Sequence, residues 1–226
     1  MTNFTSVLFW TSLALILYTY LFYFLIIVLA SRITRKKPKN PDSITDWPEV
    51  TLVIAAYNEE RFITEKINNS LSLDYPLDRL NVVVVTDGST DNTPSLVKKF
   101  DTVKLFHEPA RKGKIHAVDR IMKHIQSPIV IFTDANTTLN DQVIKNIVRH
   151  YADESVGGVA GEKRVTSKDA DNASGAGEGL YWKYESRLKK ADSDLYTVVG
   201  AAGELFSIRT ELYQSPPPDT IIEDFY

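Results

Sequence analysis

Apolar runs and amphipathic stretches divide the chain into two kinds of sequence. From residue 7 to residue 30 nearly every position is apolar or aromatic, with Thr11, Ser12 and Thr19 as the interruptions. As a single helix this run is about 36 Å long at 1.5 Å per residue, enough to cross the hydrocarbon of a bilayer with some tilt. Beyond residue 48 the pattern changes to short apolar blocks separated by helical periodicity. Residues 50–56, 82–86, 103–106 and 129–133 read as strands buried on both faces. Helices are predicted over 59–71, over 94–100 and over 114–125. The second has Thr93 as N-cap and Pro94 at its first helical position. In the third, Ile115, Val118, Ile121, Met122 and Ile125 share one face. Strands alternating with helices place the chain in the α/β class, with a mostly parallel, doubly wound sheet covered by helices on both faces. After Val159 the pattern is less regular. Residues 174–179 are glycine-rich, 180–190 look helical, and 200–208 read as a loop leading into a strand. The chain ends at Tyr226 without a tapering polar tail, as expected of a boundary inside a longer protein.

Charge sharpens this division. The 226 residues carry 26 Lys plus Arg against 29 Asp plus Glu, yet residues 1–31 carry no charged side chain. Arg32, Arg35, Lys36, Lys37 and Lys39 follow at once, and short basic flanks stay on the cytoplasmic side. The expected organisation is a transmembrane anchor over 1–31, a basic, proline-punctuated cytoplasmic linker over 32–48, and a domain over 49–226 at the cytoplasmic face of the cell membrane. The basic cluster also suits anionic lipid headgroups, making membrane lipid an expected partner. A cleaved signal peptide is the competing interpretation, since Val28-Leu29-Ala30 resembles a cleavage site. Against it, no Lys or Arg precedes the apolar run, and the run exceeds the roughly 7–15 residues of such a peptide. With five of the cations in the flank, the remainder is more acidic than the overall net charge of −3. That excludes nucleic acid as a partner held by bulk electrostatics. An anionic ligand there needs local basic groups, main-chain amides or a metal. The absence of cysteine excludes disulfides, thiol catalysis and thiolate zinc sites.

Candidate chemistry gathers at the carboxyl ends of the predicted strands, where open α/β sheets bind ligands. The first strand ends in Ala55-Ala56-Tyr57-Asn58-Glu59-Glu60, the second in Thr86-Asp87-Gly88-Ser89-Thr90-Asp91-Asn92, and the fourth in Thr133-Asp134-Ala135-Asn136-Thr137. Taken singly, each is also what turns and caps favour. Taken together, carboxylates at one end of the sheet suit a hard divalent cation or hydrogen bonds to sugar and base groups. Arg111-Lys112-Gly113-Lys114 precedes a helix whose amino end suits a diphosphate, although no Walker motif is present. A solvated basic turn remains the alternative for that run. His107, His116, His124 and His150 show no shared metal spacing.

The ordered series AAYNEE, TDGSTDNT, RKGK, TDAN and IIEDFY closely resembles the inverting family-two glycosyltransferases of the GT-A fold. Within them it is most similar to the membrane-bound polysaccharide synthases, of the cellulose, chitin, hyaluronan and poly-N-acetylglucosamine synthase kind. The resemblance covers roughly residues 48–226. It implies that Ala55, Tyr57, Glu59 and Asp87 hold the uridine of a UDP-sugar, and that Lys112 and Lys114 lie near the diphosphate. It further implies that Asp134 opens an Asp-x-Asp motif binding nucleotide and a divalent cation, Mg2+ or Mn2+. Asn136 departs from that motif, supplying an amide oxygen without charge, so a weaker metal site is expected. Glu223-Asp224 resembles the family's acidic pair, with Asp224 as the general base that deprotonates a carbohydrate acceptor. Gly200-Ala201-Ala202-Gly203 resembles an acceptor-binding loop more loosely. A stacking role for Trp182 competes with ordinary helical packing. Processive members carry a Gln-x-x-Arg-Trp motif and further membrane helices after the base, and neither occurs within these 226 residues. A polyprenyl-phosphate acceptor, or a non-catalytic nucleotide-binding role, is the alternative outcome.

Overall fold

The computed structural model describes residues 2–34, 46–162, 173–198, 200–201, 203–217 and 220. It divides into two compact units, one formed by residues 1–37 and 163–199, the other by 38–162 and 200–226.

The larger unit is built on a six-stranded sheet. Its strands are β1 (Val50–Ala56), β2 (Leu80–Asp87), β3 (Lys104–Glu108), β4 (Ile129–Asp134), β5 (Gly158–Ala160) and β6 (Leu205–Arg209), in the spatial order β3-β2-β1-β4-β6-β5. β1 pairs in parallel with β2 (Val50 opposite Leu80) and with β4 (Val50 opposite Ile129), and β3 continues the parallel set beside β2. β6 runs antiparallel between β4 and β5. A strand buried on both faces has no use for polar alternation, which is why β1 reads VTLVIAA. Its one polar core residue, Thr51, is satisfied by the Ser127 hydroxyl at 2.8 Å.

The strands' alternate residues feed two layers. On one face Leu52 and Ile54 join Ile63 and Ile67 of α3 (Ile63–Leu71), Val97 of α4 (Thr93–Val97) and Ile144 of α6 (Val143–His150). On the other, Val53, Val83 and Val130 pack with Ala117 and Ile121 of α5 (Lys114–Met122). Each such fully buried aliphatic chain contributes about 1.5–3 kcal/mol of transfer free energy. The sheet is therefore doubly wound and mostly parallel, as the sequence pattern implies.

The differences from the sequence pattern have local causes. α3 starts at Ile63 rather than 59: the preceding residues form a turn in which the Glu59 carbonyl accepts the Phe62 and Ile63 amides, and the Glu59 and Glu60 amides donate to Thr93 and Asp91. Thr93 is the first residue of α4, not its cap; its hydroxyl instead accepts the Glu59 amide at 2.8 Å. α6 and β5 fall where no element is predicted. α6 nonetheless carries a plain stripe of Val143, Ile144, Ile147 and Val148.

The described residues of the smaller unit are mostly helical. α1 (Thr2–Leu17), a π-helical turn (Tyr18–Phe22) and α2 (Tyr23–Thr34) follow without a break, and Asn3–Thr34 is apolar enough to cross a membrane. The helix thus outruns the expected anchor boundary at residue 31. α7 (Ala173–Leu195) packs along α2, well beyond the predicted 180–190. Phe24 stacks on Tyr184 with centroids 5.0 Å apart, and the Tyr184 hydroxyl donates to the Tyr20 carbonyl in the π turn at 3.0 Å. Small residues at the contact, Ser31 and Ala191, are both buried. α7 therefore groups with the N-terminal helices and not with the sheet.

Candidate active site

The strand order reverses around β1: β2 and β3 lie to one side, β4 and β6 to the other. A crevice opens beyond the carboxyl ends of β1 and β4 at such a switch point. Ala55, partly buried, lies opposite Asp134 in the β1–β4 register, and its carbonyl accepts the Ala135 amide at 3.2 Å.

The loops after β1 and β2 form one rim. Asn58, the non-glycine residue with positive φ (54°) among the described residues, accepts the Thr90 amide at 2.8 Å, and its own amide donates to Ser89 Oγ at 3.2 Å. Asparagine tolerates this conformation and completes such turns with its side chain. The Glu60 amide donates to Asp91 at 3.0 Å, and the Glu60 carboxylate accepts both nitrogens of Asn92. Burial acts against it, but hydrogen bonds from Thr93 and the Glu60 amide hold the Asp91 carboxyl below its ordinary range. Loop chemistry thus accounts for Asn58, Ser89, Thr90, Asp91 and Asn92. It leaves Tyr57, Glu59 and Asp87 for other work.

Asp87, 6% exposed at the end of β2, organises the second wall. Its Oδ2 accepts the main-chain amides of Lys112 (2.6 Å) and Gly113 (2.7 Å), and Arg120 lies 3.5 Å from Oδ1. Oδ1 is buried and accepts no hydrogen bond among the described residues. With Arg120 at ion-pair distance only, this acceptor keeps room for a hydrogen-bond donor. Gly88 makes the approach possible: at φ 68° a Cβ there would lie 2.4 Å from Arg111 Cβ. Arg111 is thereby brought over the exposed Tyr57 ring, 4.0 Å from its centroid, a cation–π contact. Gly113 caps α5, whose first-turn amides, as at any helix start, have no partner within the helix. Lys112 contributes through its main chain, its side chain being exposed, whereas the Lys114 ammonium reaches across to Asp134 Oδ1 at 3.4 Å.

The third wall is the Asp134 turn. It is held from below by Lys66, a 3%-exposed lysine donating to Thr133 Oγ1 at 2.9 Å and the Thr137 carbonyl at 2.6 Å. Burial lowers its pKa to about 8, with the Asp134 charge opposing. Burial, then the charges of Asp134 and Asp91, push the Glu59 carboxyl above its usual range. Sequence reasoning passed over Lys66, although a charge on the apolar stripe of α3, between Ile63 and Ile67, marks it out.

The structure thus brings Ala55, Tyr57, Glu59, Asp87, Lys114 and Asp134 to one crevice, with Lys112 at its edge through the main chain. Asn136 is exposed, two residues past Asp134. No group of three or more His, Cys, Asp or Glu among the described residues could cage a metal. The oxygen donors present, Asp134 and the Asn136 amide, fit a Mg2+- or Mn2+-type ion that takes its other ligands from diphosphate and water. Glu223 and Asp224 lie outside the described residues. Of the small-residue loop, Gly200, Ala201 and Gly203 are described.

Comparison with known proteins finds that the family model Glycosyl transferase family 2 matches residues 51–215. A beta-monoglucosyldiacylglycerol synthase of Synechocystis sp. is 30% identical over 169 residues, 72% of this chain and 34% of that protein. A poly-beta-1,6-N-acetyl-D-glucosamine synthase of Staphylococcus aureus is 28% identical over 137 residues, 58% of this chain and 33% of that protein. The chain spans about a third of the length of these curated relatives. Among solved structures, a mannosyltransferase from Pyrobaculum calidifontis in complex with GDP-Man and Mn2+ superposes with a TM-score of 0.72 at 30% identity. That match covers 88% of this chain and 56% of the other.

Proposed function

The chain belongs to glycosyltransferase family 2, with a GT-A sheet unit, and we propose that it transfers a sugar with inversion from a UDP-sugar to a growing polysaccharide at the cytoplasmic membrane face. The observation that carries the donor half is Asp87: a buried carboxylate with one oxygen spent on Lys112 and Gly113 and the other, 3.5 Å from Arg120, without a hydrogen bond among the described residues. A pyrimidine N–H supplies one, while Tyr57 and Arg111 present a flat edge to the base. The diphosphate then lies at the amino end of α5, where main-chain amides and Lys114 stabilise negative charge. Asp134 and Asn136 would hold a divalent cation, which when bound neutralises charge on the leaving diphosphate.

For the chemical step, Asp224 takes the proton of an acceptor hydroxyl. The freed oxygen attacks the anomeric carbon as its bond to the diphosphate breaks, and UDP departs. General-base assistance of this kind is worth about 10²–10⁴-fold. Lys114 and the α5 amides offset the charge that accumulates on the leaving group.

A second acceptor class has its own support. The Synechocystis relative is named for a glycolipid product, so a membrane lipid, polyprenyl phosphate included, is the alternative acceptor. The deciding experiment incubates the full-length protein in membranes with radiolabelled UDP-N-acetylglucosamine, UDP-glucose or GDP-mannose and Mg2+ or Mn2+. A labelled polymer from a UDP-sugar is the expected product; a labelled lipid moves the acceptor, and label from GDP-mannose alone moves the donor. Asp224→Asn should abolish turnover while nucleotide binding persists. Unchanged turnover removes Asp224 from the mechanism, and nucleotide binding with no turnover of any donor by the unaltered protein leaves only a binding role.

A further inference from the structure

The helical unit carries a cleft that sugar transfer leaves unused. It lies between α2 and α7 and has a volume of about 530 Å³. Phe24 and Val28 form an apolar wall; Arg32, Arg187, Lys190 and Asp194 line the rest, a net of two positive charges. Arg32 and Arg187 are exposed and make no ion pair among the described residues. Lys190 lies 3.9 Å from Asp194, whereas its neighbour Lys189 is turned to Glu185 at 2.9 Å.

The height of the cleft follows from its partner helix. α7 bears a charge on every turn from Lys183 to Asp194, and it lies alongside α2. Charged side chains at that density do not enter hydrocarbon. The cleft, bounded by Phe24 at one end and Arg32 at the other, lies where the apolar helix meets its basic flank. Phe24 and Val28 lie on successive turns of α2, and Arg32 one turn further. Apolar side chains at the membrane edge followed by uncompensated cations match a molecule with acyl chains on one side and a negative headgroup on the other.

We propose that the α2–α7 cleft binds the headgroup of an anionic phospholipid. It rests on taking Asn3–Thr34 as a membrane span, which the test examines separately. First, the full chain is floated with neutral phosphatidylcholine vesicles; failure to float overturns the span, and the lipid site with it. Second, the chain in neutral detergent micelles is titrated with phosphatidylglycerol and followed by native mass spectrometry. One retained phosphatidylglycerol per chain is expected, with phosphatidylcholine not retained. At on the order of fivefold per cation, the double variant R187Q/K190Q should bind roughly 25-fold more weakly. R187K/K190R should retain binding. Equal retention of the two lipids, or undiminished binding by R187Q/K190Q, overturns the site while leaving the span intact. So does competition by inorganic phosphate, or a second copy of the chain in the lipid's place.

Discussion

Lys66 gives a prediction whose size can be worked from the structure. Its ammonium is buried beneath the Asp134 turn, and burial lowers its pKa from 10.5 to about 8. Above about pH 8 the folded chain releases this proton while the unfolded chain keeps it up to about 10.5. The unfolded state binds more protons throughout that window, so stability rises with pH across it. At 1.36 kcal/mol per pH unit the whole rise is about 3 kcal/mol, of which roughly 2 kcal/mol falls between about pH 7 and 9.5. Lys66→Met has nearly the same volume and no proton to release, so its stability should lack this rise. Thr133 Oγ1 and the Thr137 carbonyl lose their donor in exchange, at about 1 kcal/mol each. The two variants should therefore lie close together at pH 7 and diverge in favour of the wild type as pH rises. Urea unfolding of the full chain in detergent, followed by Trp47 in a W10F/W182F background, measures both curves. Trp47 packs against the sheet core and reports on that unit. The range stops near pH 9.5 because burial raises the phenol of Tyr75, as burial and Asp119 raise that of Tyr213. Unfolded tyrosines ionise first above about pH 10, which reverses the slope. An equal rise in Lys66→Met, or none in the wild type, would refute the assignment.

Four other substitutions test the crevice. Gly88→Ala should destabilise the sheet unit by about 2–4 kcal/mol, read as a lowered urea midpoint, because the new methyl meets Arg111 in a positive-φ position. Asp87→Asn, which weakens two charge-assisted hydrogen bonds and strips Arg120 of its buried partner, should cost about 2–4 kcal/mol. It should also weaken UDP binding in calorimetry more than tenfold. Asn136→Asp should tighten Mn2+ binding in the presence of UDP by on the order of tenfold, since ligand charge sets the affinity of hard cations. Glu59 has a raised folded pKa, so its contribution favours folding below about pH 4.5 and is lost as pH rises through the folded value. Glu59→Gln should flatten that acid limb of the stability curve.

Periodicity and composition specified much of this protein without coordinates. The four parallel strands, the helices between them and the apolar amino-terminal helix are local properties, because a strand buried on both faces must be apolar throughout and a bilayer span must be long. The motifs at the strand ends were legible for the same reason: turn residues can only follow the strands they terminate. What residue type could not reveal was which polar groups satisfy one another across the chain. Asn58, Ser89 and Asp91 are polar strand-end residues like Asp87, yet three-dimensional pairing commits the first three to loop hydrogen bonds and leaves one oxygen of Asp87 without a hydrogen bond among the described residues, Arg120 standing 3.5 Å away. Lys66 under the Asp134 turn and Arg111 over Tyr57 depend on contacts between residues 40 or more positions apart, which no window of sequence contains. α7 is the largest case. Its length and its place beside α2 rather than on the sheet arise from packing between segments more than a hundred residues apart. Backbone preference and hydrophobic spacing act within a few residues and are written in the sequence; charge pairing and helix docking are settled only when the chain has closed on itself.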